Sequence, residues 1–363
     1  MLLASRRGKR LVSLCRRVVG KRCFSSSGSN ASSSSIPIID FGRYHGNEVD
    51  RKALAKDIDE ACTDIGFFAI VNHGVDENHI ENAWTRTREF FDLSSEVKSS
   101  ISPSMTQDYP YGYIPLGGEK LAAGRDAELQ SEEKNKSAPP DLNESFSMGP
   151  EATADNGAPG RQWPTHDPAF AKAWSEYYTS LEHLSSNLLE IFALALKLPS
   201  PRWFEDKIDR HRCALRALHY PHPEGPVSPD QLRASAHTDY GSLTILLQDS
   251  APGGLQVKAA DERSGGWTPV PREEGAFVIN LGDLMSRWTN ERWVSTLHRV
   301  VMPPPDAKGS TRRQSMAFFH NINPDHVVRC IETCHSPENP PKYEPIKAFD
   351  FLMKKHAAAT GGS

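Results

Sequence analysis

Cysteine is scarce in this chain, with only 6 among 363 residues. So few thiols do not support the disulfide framework of a small secreted protein and are typical of a reducing compartment. Long apolar runs are also missing, because no stretch of the sequence reaches the roughly 18 consecutive apolar residues of a membrane-spanning helix. The composition therefore excludes a disulfide scaffold and an ordinary transmembrane helix, and we expect no membrane partner.

A strong net charge is absent as well. The chain carries 42 Lys and Arg against 46 Asp and Glu, which gives a formal net charge of −4. Eight basic residues and no acidic residue precede Asp40, so without these eight the remaining chain has 34 basic against 46 acidic side chains and a charge of −12. An acidic body is poorly suited to phosphate backbones, and we therefore expect no nucleic-acid partner.

Residues 1–35 differ in composition from the rest of the chain. Arginine, lysine and serine dominate this segment, and only short apolar stretches separate the basic residues. A basic, Ser-rich and acid-free start is typical of an organellar transit peptide, and the apolar stretch of a secretory signal is missing. The run Arg22-Cys23-Phe24-Ser25 resembles a mitochondrial processing site cut after Phe24. We predict a mitochondrial transit peptide; the alternatives are a plastid location, or a disordered basic tail on a cytoplasmic protein.

Turn-forming residues are abundant, with 27 prolines and 25 glycines, and they favour short strands. Apolar spacing predicts helices in the first half of the chain, whereas short apolar runs from about residue 212 predict an antiparallel sandwich or barrel. The predicted class is mainly β with α (α+β). The predicted regions are an N-terminal lobe with an irregular substrate-side loop at 36–165, a long supporting helix at 166–205, a β-core at 206–325, and a C-terminal segment with a helix at 326–363.

The segment His237-Thr238-Asp239 has the clearest chemical pattern. Residues i and i+2 of an extended chain point to the same side, so His237 and Asp239 can bind one metal ion. His298, in a separate strand-like run, is the strongest candidate for a third ligand. Two histidines and one carboxylate leave metal positions open, which suits non-haem Fe(II) and oxygen chemistry. The short pattern alone is weak evidence, because most such pairs are surface pairs.

A second pattern, in the strand-like run after His298, suits an organic acid. Arg313 and Ser315 are two residues apart, so a guanidinium and a hydroxyl can hold one carboxylate by charge-assisted hydrogen bonds. Tyr220, at the end of an earlier predicted strand, could add a phenolic donor. An acid held there by its far end could bind the metal with its near end. Arg312 lies on the opposite face of the strand, and we expect it to contribute little to this clamp.

Taken together, five blocks of the sequence resemble the isopenicillin N synthase-like family of Fe(II)- and 2-oxoglutarate-dependent dioxygenases. The blocks occur in the family's order, and the resemblance covers nearly all of residues 36–358. They are Ile36–Phe41 with Asp64–Gly74, Leu215–Pro221, His237–Asp249, Asn280–Val300, and Arg313–Phe319 with Lys342–Pro345. One departure is the span of 15 residues from His298 to Arg313, which is longer than the family's usual hairpin.

The resemblance implies a double-stranded β-helix, or jelly roll, in the β-rich part. It implies that His237, Asp239 and His298 bind Fe(II), and that Arg313 and Ser315, with Tyr220, bind 2-oxoglutarate. Dioxygen is the other co-substrate, and ascorbate is a candidate stimulant. No protein nucleophile or other catalytic side chain is implied beyond the metal centre.

The implied substrate is a small organic metabolite that is hydroxylated, desaturated or cyclised, with release of succinate and CO2. Amino acids, alkaloids, phenolics, terpenoids and nucleobases all fit this description. We expect the walls of the substrate site to come from the irregular loop and the core. We also expect the protein to be a monomer. The candidate wall residues are Tyr111, Tyr113, Phe146, Phe319 and Asn321.

Three alternatives remain open from the sequence. A member of the same family that uses no 2-oxoglutarate could hold a substrate or ascorbate carboxylate between Arg313 and Ser315. A non-catalytic binding protein could retain the fold, although it would not need three metal ligands. A zinc hydrolase could use the same ligands, although hydrolysis does not require a carboxylate clamp beside the metal. We interpret the cluster Cys330, Cys334 and His335 as incidental, because it lacks a second ligand pair.

Residues 1–35, fused to a fluorescent protein, are expected to direct it to mitochondria, because the segment is basic, Ser-rich and free of acids. The measurement is colocalisation with a mitochondrial marker. The same segment with its eight basic residues replaced by Gln serves as the control and should stay in the cytosol. A uniform cytosolic signal from the unaltered segment would contradict the transit peptide, and a plastid signal would correct the organelle.

Overall fold

Helices form one side of the molecule in the computed structural model, which describes residues 36–102, 111–119, 121, 139–165, 167–223, 225, 227–258 and 266–360. The predicted transit peptide, residues 1–35, lies outside the described residues. Among the described residues, 3-10 turns at Phe41–His45, Glu205–Lys207 and Glu332–Cys334 accompany the α-helices. In the described part of the chain the α-helices are α1 (Glu48–Asp64), α2 (Glu77–Phe91), α3 (Ser95–Ser99), α4 (Pro168–Ala195), α5 (Asp283–Trp288) and α6 (Ala348–Thr360).

The strands belong to three sheets. Their bounds are β1 (Ile38–Asp40), β2 (Phe67–Val71), β3 (Gly112–Ile114), β4 (Glu144–Met148), β5 (Ala214–Tyr220), β6 (Leu232–His237), β7 (Leu243–Gln248), β8 (Leu255–Lys258), β9 (Trp267–Pro269), β10 (Phe277–Leu281), β11 (His298–Val301), β12 (Arg313–His320), β13 (Val327–Val328) and β14 (Ile346–Lys347). The large sheet has the order β1-β2-β10-β7-β12-β5-β4-β3, the second sheet has the order β6-β11-β8-β9, and β13 pairs with β14.

The large sheet and the second sheet together form a jelly roll. Within the large sheet only β1 and β2 run parallel, and every other described pair is antiparallel. Side chains of both sheets pack into one apolar cluster, in which Tyr220 and Val278 of the large sheet join Ala234, Val257 and Val300 of the second. The predicted mixture of a β-core with helices is therefore confirmed.

The two faces of the large sheet have different neighbours, because successive side chains of a strand point to opposite sides. On β12, Met316 and Phe318 belong to the core beneath the helices, whereas Ser315 and Phe319 line a cavity between the sheets. Strand β5 follows the same alternation. The cavity-lining side chains of the large sheet therefore lie on the face directed toward the second sheet.

Helix α4 supports the helix-facing side of the large sheet. Asp167 caps its first turn by accepting a hydrogen bond from the Ala169 backbone at 3.0 Å, and Pro168 occupies the first helical position. Its apolar face is buried, and the Tyr178 ring lies 5.1 Å from the ring of Phe318 on β12. The long helix predicted from apolar spacing is confirmed. In the described part of the chain, no helix has the length and apolarity needed to cross a bilayer.

The region predicted to be irregular contains two strands of the large sheet. All five residues of β4 are buried, and β4 pairs with β5 in the register Glu144↔His219. The alternation of small polar and apolar side chains in Ser145-Phe146-Ser147-Met148 is the sequence signal for this strand. The sequence analysis missed it because the run is short and is surrounded by turn-forming residues. The prediction of an irregular region is therefore wrong at β3 and β4. The polar stretch 122–138 lies outside the described residues.

A buried charge network connects the N-terminal helices to the large sheet. Glu144 accepts hydrogen bonds from Lys98 at 2.8 Å, from the Tyr113 hydroxyl at 2.5 Å and from His219 Nδ1 at 2.7 Å. Burial alone would raise the pKa of Glu144, but the hydrogen bonds from His219 and Lys98 lower it to about 2. His219 Nε2 accepts from Arg312 Nε at 2.8 Å, so the imidazole is neutral and bridges the carboxylate and the guanidinium.

Arg312 lies on the side away from the cavity, as the alternation predicts, and it has a structural role there. Its guanidinium donates to Asp92 at 2.5 Å and to the Arg88 carbonyl at 3.3 Å, so it fastens the end of α2 to the sheet. We expect Arg312→Ala to lower the free energy of unfolding by about 1–3 kcal/mol, since three charge-assisted contacts are lost. Urea denaturation measures this change.

The matched control for that measurement is Arg210→Ala. Arg210 pairs with Asp325 at 3.1 Å, and both side chains are exposed, so its removal should cost less than about 1 kcal/mol. Equal stability losses for the Arg312 and Arg210 variants would contradict the assigned role of Arg312.

Candidate metal centre and adjoining cavity

Two paired strands bring the predicted metal ligands together. His237 ends β6, His298 begins β11, and these residues are directly opposite each other in the antiparallel pair. Asp239 follows β6, and its Oδ1 lies 3.6 Å from His298 Nε2 and 3.9 Å from His237 Nε2. The two imidazole centroids are 4.3 Å apart. One ligand atom from each residue can be chosen so that all three lie within 4.8 Å of one another.

Hydrogen bonds orient the three side chains. His237 Nδ1 donates to the Ser235 carbonyl at 2.7 Å, and His298 Nδ1 donates to the Thr296 carbonyl at 3.0 Å. With Nδ1 protonated in this way, each Nε2 keeps its lone pair, which is the arrangement typical of metal-binding histidines. Both imidazoles thus present Nε2 toward the Asp239 carboxylate.

The second oxygen of Asp239 is held by two side chains. Its Oδ2 accepts hydrogen bonds from Thr244 Oγ1 at 2.5 Å and from Asn280 Nδ2 at 2.7 Å. These two donors fix the carboxylate plane and leave Oδ1 directed at the histidines. The sequence favours a turn-forming role for Asn280 but also allows it to lean into the pocket. The residue lies in β10, and its amide reaches the candidate ligand.

The electrostatics favour an ionised Asp239 and a neutral His237, which are the protonation states that a metal requires of these two residues. Burial alone would raise the pKa of Asp239, but the nearby His298 and the hydrogen bonds to the carboxylate lower it below its usual range. Burial and the adjacent His298 lower the pKa of His237 to about 4. Burial opposes protonation of His298 too, but the Asp239 carboxylate outweighs it and raises the pKa of His298. An ionised carboxylate beside a neutral imidazole is a ready ligand set.

The donor set fits a ferrous ion. Within the described residues, His237, Asp239 and His298 are the one group of three or more potential ligand side chains close enough to hold an ion. Two imidazole nitrogens and one carboxylate oxygen leave coordination positions open for other ligands. Cys330, Cys334 and His335 do not form such a group in the described chain.

The three residues predicted to hold an organic acid line the same cavity. Arg313 pairs with Tyr220 across β12 and β5, and its guanidinium carbon lies 4.9 Å from the Tyr220 ring centre. The guanidinium donates to Ser315 Oγ at 3.4 Å and to Gln248 Oε1 at 2.9 Å. Gln248 is an addition to the sequence-based set; it lies opposite Ser315 in the pairing of β7 with β12.

The cavity between the two sheets has a volume of about 990 Å³, including the part open to solvent. Most of its walls are apolar, with the polar groups concentrated around the candidate ligands and the Arg313 clamp. The additional lining residues include Leu121, Arg216, Leu218, Ala234, Tyr240, Leu246, Leu255, Val300, Phe319, Asn321 and Leu352.

Of the predicted substrate walls, Phe319 and Asn321 line this cavity. The structure places Tyr113 and Phe146 elsewhere: both are buried among the aromatic side chains beneath the large sheet, where Phe146 packs against Trp174 at 4.9 Å between ring centres. Tyr111 packs on Gly149. The expectation for these three residues is corrected, because Phe146 points to the helix-facing side of β4 while Ser145 points to the cavity side.

Arg216 is a charged cavity residue that the sequence analysis missed. It lies on β5 four residues before Tyr220, so alternation places both side chains on the cavity face. Its guanidinium donates to Ser145 Oγ at 2.8 Å and to Glu119. A guanidinium at this wall gives the otherwise apolar cavity a strong hydrogen-bond donor. The repeated pattern Arg216, Leu218, Tyr220 is the sequence signal that could have identified it.

Helix α6 covers one side of the cavity. Leu352 contributes to the wall, and Lys355 donates to Asp283 Oδ2 at 2.8 Å. Asp283 also accepts a hydrogen bond from Thr238 at 2.9 Å, and Thr238 lies between two of the candidate ligands in sequence. The C-terminal helix is therefore linked through Asp283 to the segment that carries the metal site.

Two parts of the chain match known protein families. Residues 36–169 match the family described as non-haem dioxygenase in morphine synthesis N-terminal, and residues 211–322 match the 2OG-Fe(II) oxygenase superfamily. The second match contains the candidate metal ligands, the Arg313 clamp and Arg216. The two matches follow each other in the order expected from the sequence blocks.

Similar proteins cover most of the chain. A 2-oxoglutarate-Fe(II) type oxidoreductase of Emericella nidulans is 32% identical over 335 residues, which is 90% of this chain and 90% of that protein. The crystal structure of a full-length Neurospora crassa protein with alpha-KG and thymine is 30% identical, with a TM-score of 0.78 over 91% of this chain and 98% of that one. The structure of that Neurospora protein with alpha-KG and 5-formyluracil has 29% identity and a TM-score of 0.77, covering 92% and 100%.

We expect Asn280→Ala to weaken metal binding about ten-fold, because loss of an outer hydrogen bond loosens a ligating carboxylate. Anaerobic titration of the purified protein with Fe(II) measures the affinity. Asn156→Ala, in an exposed loop, is the control and should bind the metal like the unaltered protein. An unchanged affinity of the Asn280 variant would contradict a role of this amide in orienting Asp239.

Proposed function

The chain belongs to the 2-oxoglutarate–Fe(II) oxygenase superfamily, and we propose that His237, Asp239 and His298 hold its Fe(II). It is an oxygenase that acts on small metabolites with Fe(II), 2-oxoglutarate and dioxygen. The observation that carries the ligand assignment is the convergence of two Nε2 atoms and one carboxylate oxygen at the end of a cavity that also contains Arg313. The superfamily membership favours this function over the zinc hydrolase, the binding protein and the 2-oxoglutarate-independent oxidase.

When bound, the iron supplies the oxidation chemistry, with succinate and CO2 as the products of the co-substrate. The protein contributes position and environment. Thr244 and Asn280 hold Asp239 in one orientation, and backbone carbonyls hold both histidines. The apolar walls exclude water from the neighbourhood of the metal site, which limits side reactions of the oxidant.

The clamp holds the distal carboxylate of 2-oxoglutarate in this proposal. Arg313 is only 2% exposed, and its planar fork suits bidentate binding of a carboxylate. Ser315 adds a hydroxyl on the same face of β12, and Tyr220 adds an aromatic face against the guanidinium. The keto-acid end of the co-substrate would then be available to the metal, because the clamp and the three candidate ligands line the same cavity. Ascorbate remains a candidate stimulant without an assigned position.

The wall beyond the triad suits a flat molecule that carries carbonyl or carboxylate oxygens. Arg216 offers a cationic donor, Phe319 an aromatic surface and Asn321 an amide, all within the same cavity. Thymine and 5-formyluracil, which are bound in the crystal structures of the similar Neurospora crassa protein, are flat and carry carbonyl groups. We therefore assign the substrate of this chain to planar, oxygen-rich small metabolites.

The cellular setting of this reaction is part of the same proposal. The composition of residues 1–35 supports mitochondrial import, and the charge of −12 on the remaining chain supports action on small molecules rather than nucleic acid. We assign the active species as a monomer without a membrane partner.

The experiment is a screen of planar carbonyl compounds, thymine included, with purified protein, Fe(II) and 2-oxoglutarate. Succinate formed above the level without substrate identifies accepted compounds, and mass spectrometry identifies the oxidised product. We expect His298→Ala to abolish both signals, because the metal loses a ligand. Full succinate formation by His298→Ala would contradict the ligand assignment.

Arg216→Met tests the assigned substrate class in the same assay. This variant should raise the KM of an accepted substrate about ten-fold, since one charge-assisted hydrogen bond is lost, while succinate formation without substrate stays the same. An unchanged KM for carbonyl-bearing substrates, or acceptance of apolar compounds alone, would contradict the assigned substrate class.

A further inference from the structure

A second arginine, Arg233, is buried beside the Arg313 clamp. Its relative exposure is 0%, which is unusual for an arginine, and it lies on β6, the strand that ends at His237. Its guanidinium donates to the Pro252 carbonyl at 3.1 Å and to the Thr311 carbonyl. Its Nε is buried and has no hydrogen-bond partner among the described atoms.

The two guanidinium groups share one aromatic ring. The centre of the Tyr220 ring lies 4.9 Å from the guanidinium carbon of Arg313 and 5.9 Å from that of Arg233. Two buried cations near one ring repel each other, and burial together with this repulsion lowers the pKa of Arg233 to about 10. At neutral pH Arg233 therefore still carries its charge.

Little negative charge compensates this pair. Among the described residues, no carboxylate oxygen lies within 4.0 Å of the Arg233 or Arg313 guanidinium. Asp249 is the carboxylate whose charge favours protonated Arg233, and its oxygens already accept from the backbone amides of Gln314 at 2.7 Å and Ala251 at 3.1 Å. The end of the cavity therefore has an excess of positive charge, and burying such charge without a counter-ion is costly.

We infer that Arg233 is a positioning residue for the distal carboxylate of 2-oxoglutarate. It attracts this carboxylate through its charge, from beside the Tyr220 ring that it shares with Arg313. This inference rests on the proposed function, because it requires that carboxylate to bind at Arg313. Arg233 lies behind Tyr220 rather than in the cavity wall, so it acts on the acid at a distance. Its contacts to Pro252 and Thr311 hold it there.

A charge effect and a merely structural effect predict different outcomes. Arg233→Lys retains the charge and a donor for the two carbonyls, whereas Arg233→Gln retains donors but not the charge. If the charge matters, only the Gln variant should lose affinity for a dicarboxylate. If Arg233 only ties β6 to the two carbonyls, both variants should lose affinity for every 2-oxo acid alike.

The experiment compares 2-oxoglutarate with 2-oxopentanoate, which has the same chain length but no distal carboxylate. Calorimetric titration of the full chain loaded with Mn(II) measures both dissociation constants without any turnover. The unaltered protein should prefer 2-oxoglutarate. Arg233→Gln should reduce this preference roughly ten-fold through weaker binding of 2-oxoglutarate alone, and Arg233→Lys should keep it within about three-fold.

Arg299→Gln is the matched control. Arg299 also lies over an aromatic ring, with its guanidinium carbon 4.2 Å from the Trp267 ring centre, but it points away from the cavity on β11. Its loss changes the net charge equally and should leave the preference unchanged. Arg233→Met is the second uncharged variant if Arg233→Gln does not fold.

Three results would overturn the inference. The first is an unaltered preference for 2-oxoglutarate in the uncharged Arg233 variants. The second is an equal loss of affinity for both acids in the Lys and Gln variants. The third is equal binding of the two acids by the unaltered protein, which would overturn the proposed clamp itself and this inference with it.

Discussion

The pairing of β6 with β11 is the constraint on which the site depends. It sets His298 opposite His237, so that two imidazoles from distant parts of the chain meet with their centroids 4.3 Å apart. A shift of this register by one residue would turn either side chain to the other face of the sheet. Asp239 completes the group because it follows β6 by two residues, and its free oxygen faces both Nε2 atoms.

In the jelly roll, one face of the large sheet packs against the helices, and the other face lines the cavity that contains the candidate site. Residues that point toward the helices, such as Met316 and Phe318, pack with α4, whereas Ser315 and Phe319 on the same strand line the cavity. Arg312 and Arg313 illustrate the consequence. Although adjacent in sequence, one fastens α2 to the sheet and the other is placed to bind a carboxylate.

Several charged groups lie in or beside the cavity. Arg313 lines it and Arg233 is buried behind Tyr220, the Asp239 carboxylate lies among the candidate metal ligands, and Arg216, which pairs with Glu119, also lines the wall. We propose that this arrangement attracts the distal end of an acid with two carboxylates, whose near end would then be available to the metal. The apolar walls between strengthen these interactions, because a low local dielectric reduces screening.

The sequence by itself determined the fold class, the family and the residues that meet at the candidate metal site. His237 and Asp239 share a side by the period of two, and the long helix follows from its apolar spacing. Only the tertiary structure decided which neighbouring strands supply the additional hydrogen-bond partners of these residues. Asn280 hydrogen-bonds Asp239, and Gln248 hydrogen-bonds Arg313. It also places Phe146 in the core and not in the expected substrate wall. The physical reason is that strand order and register are set by contacts between distant segments, which local periodicity does not encode.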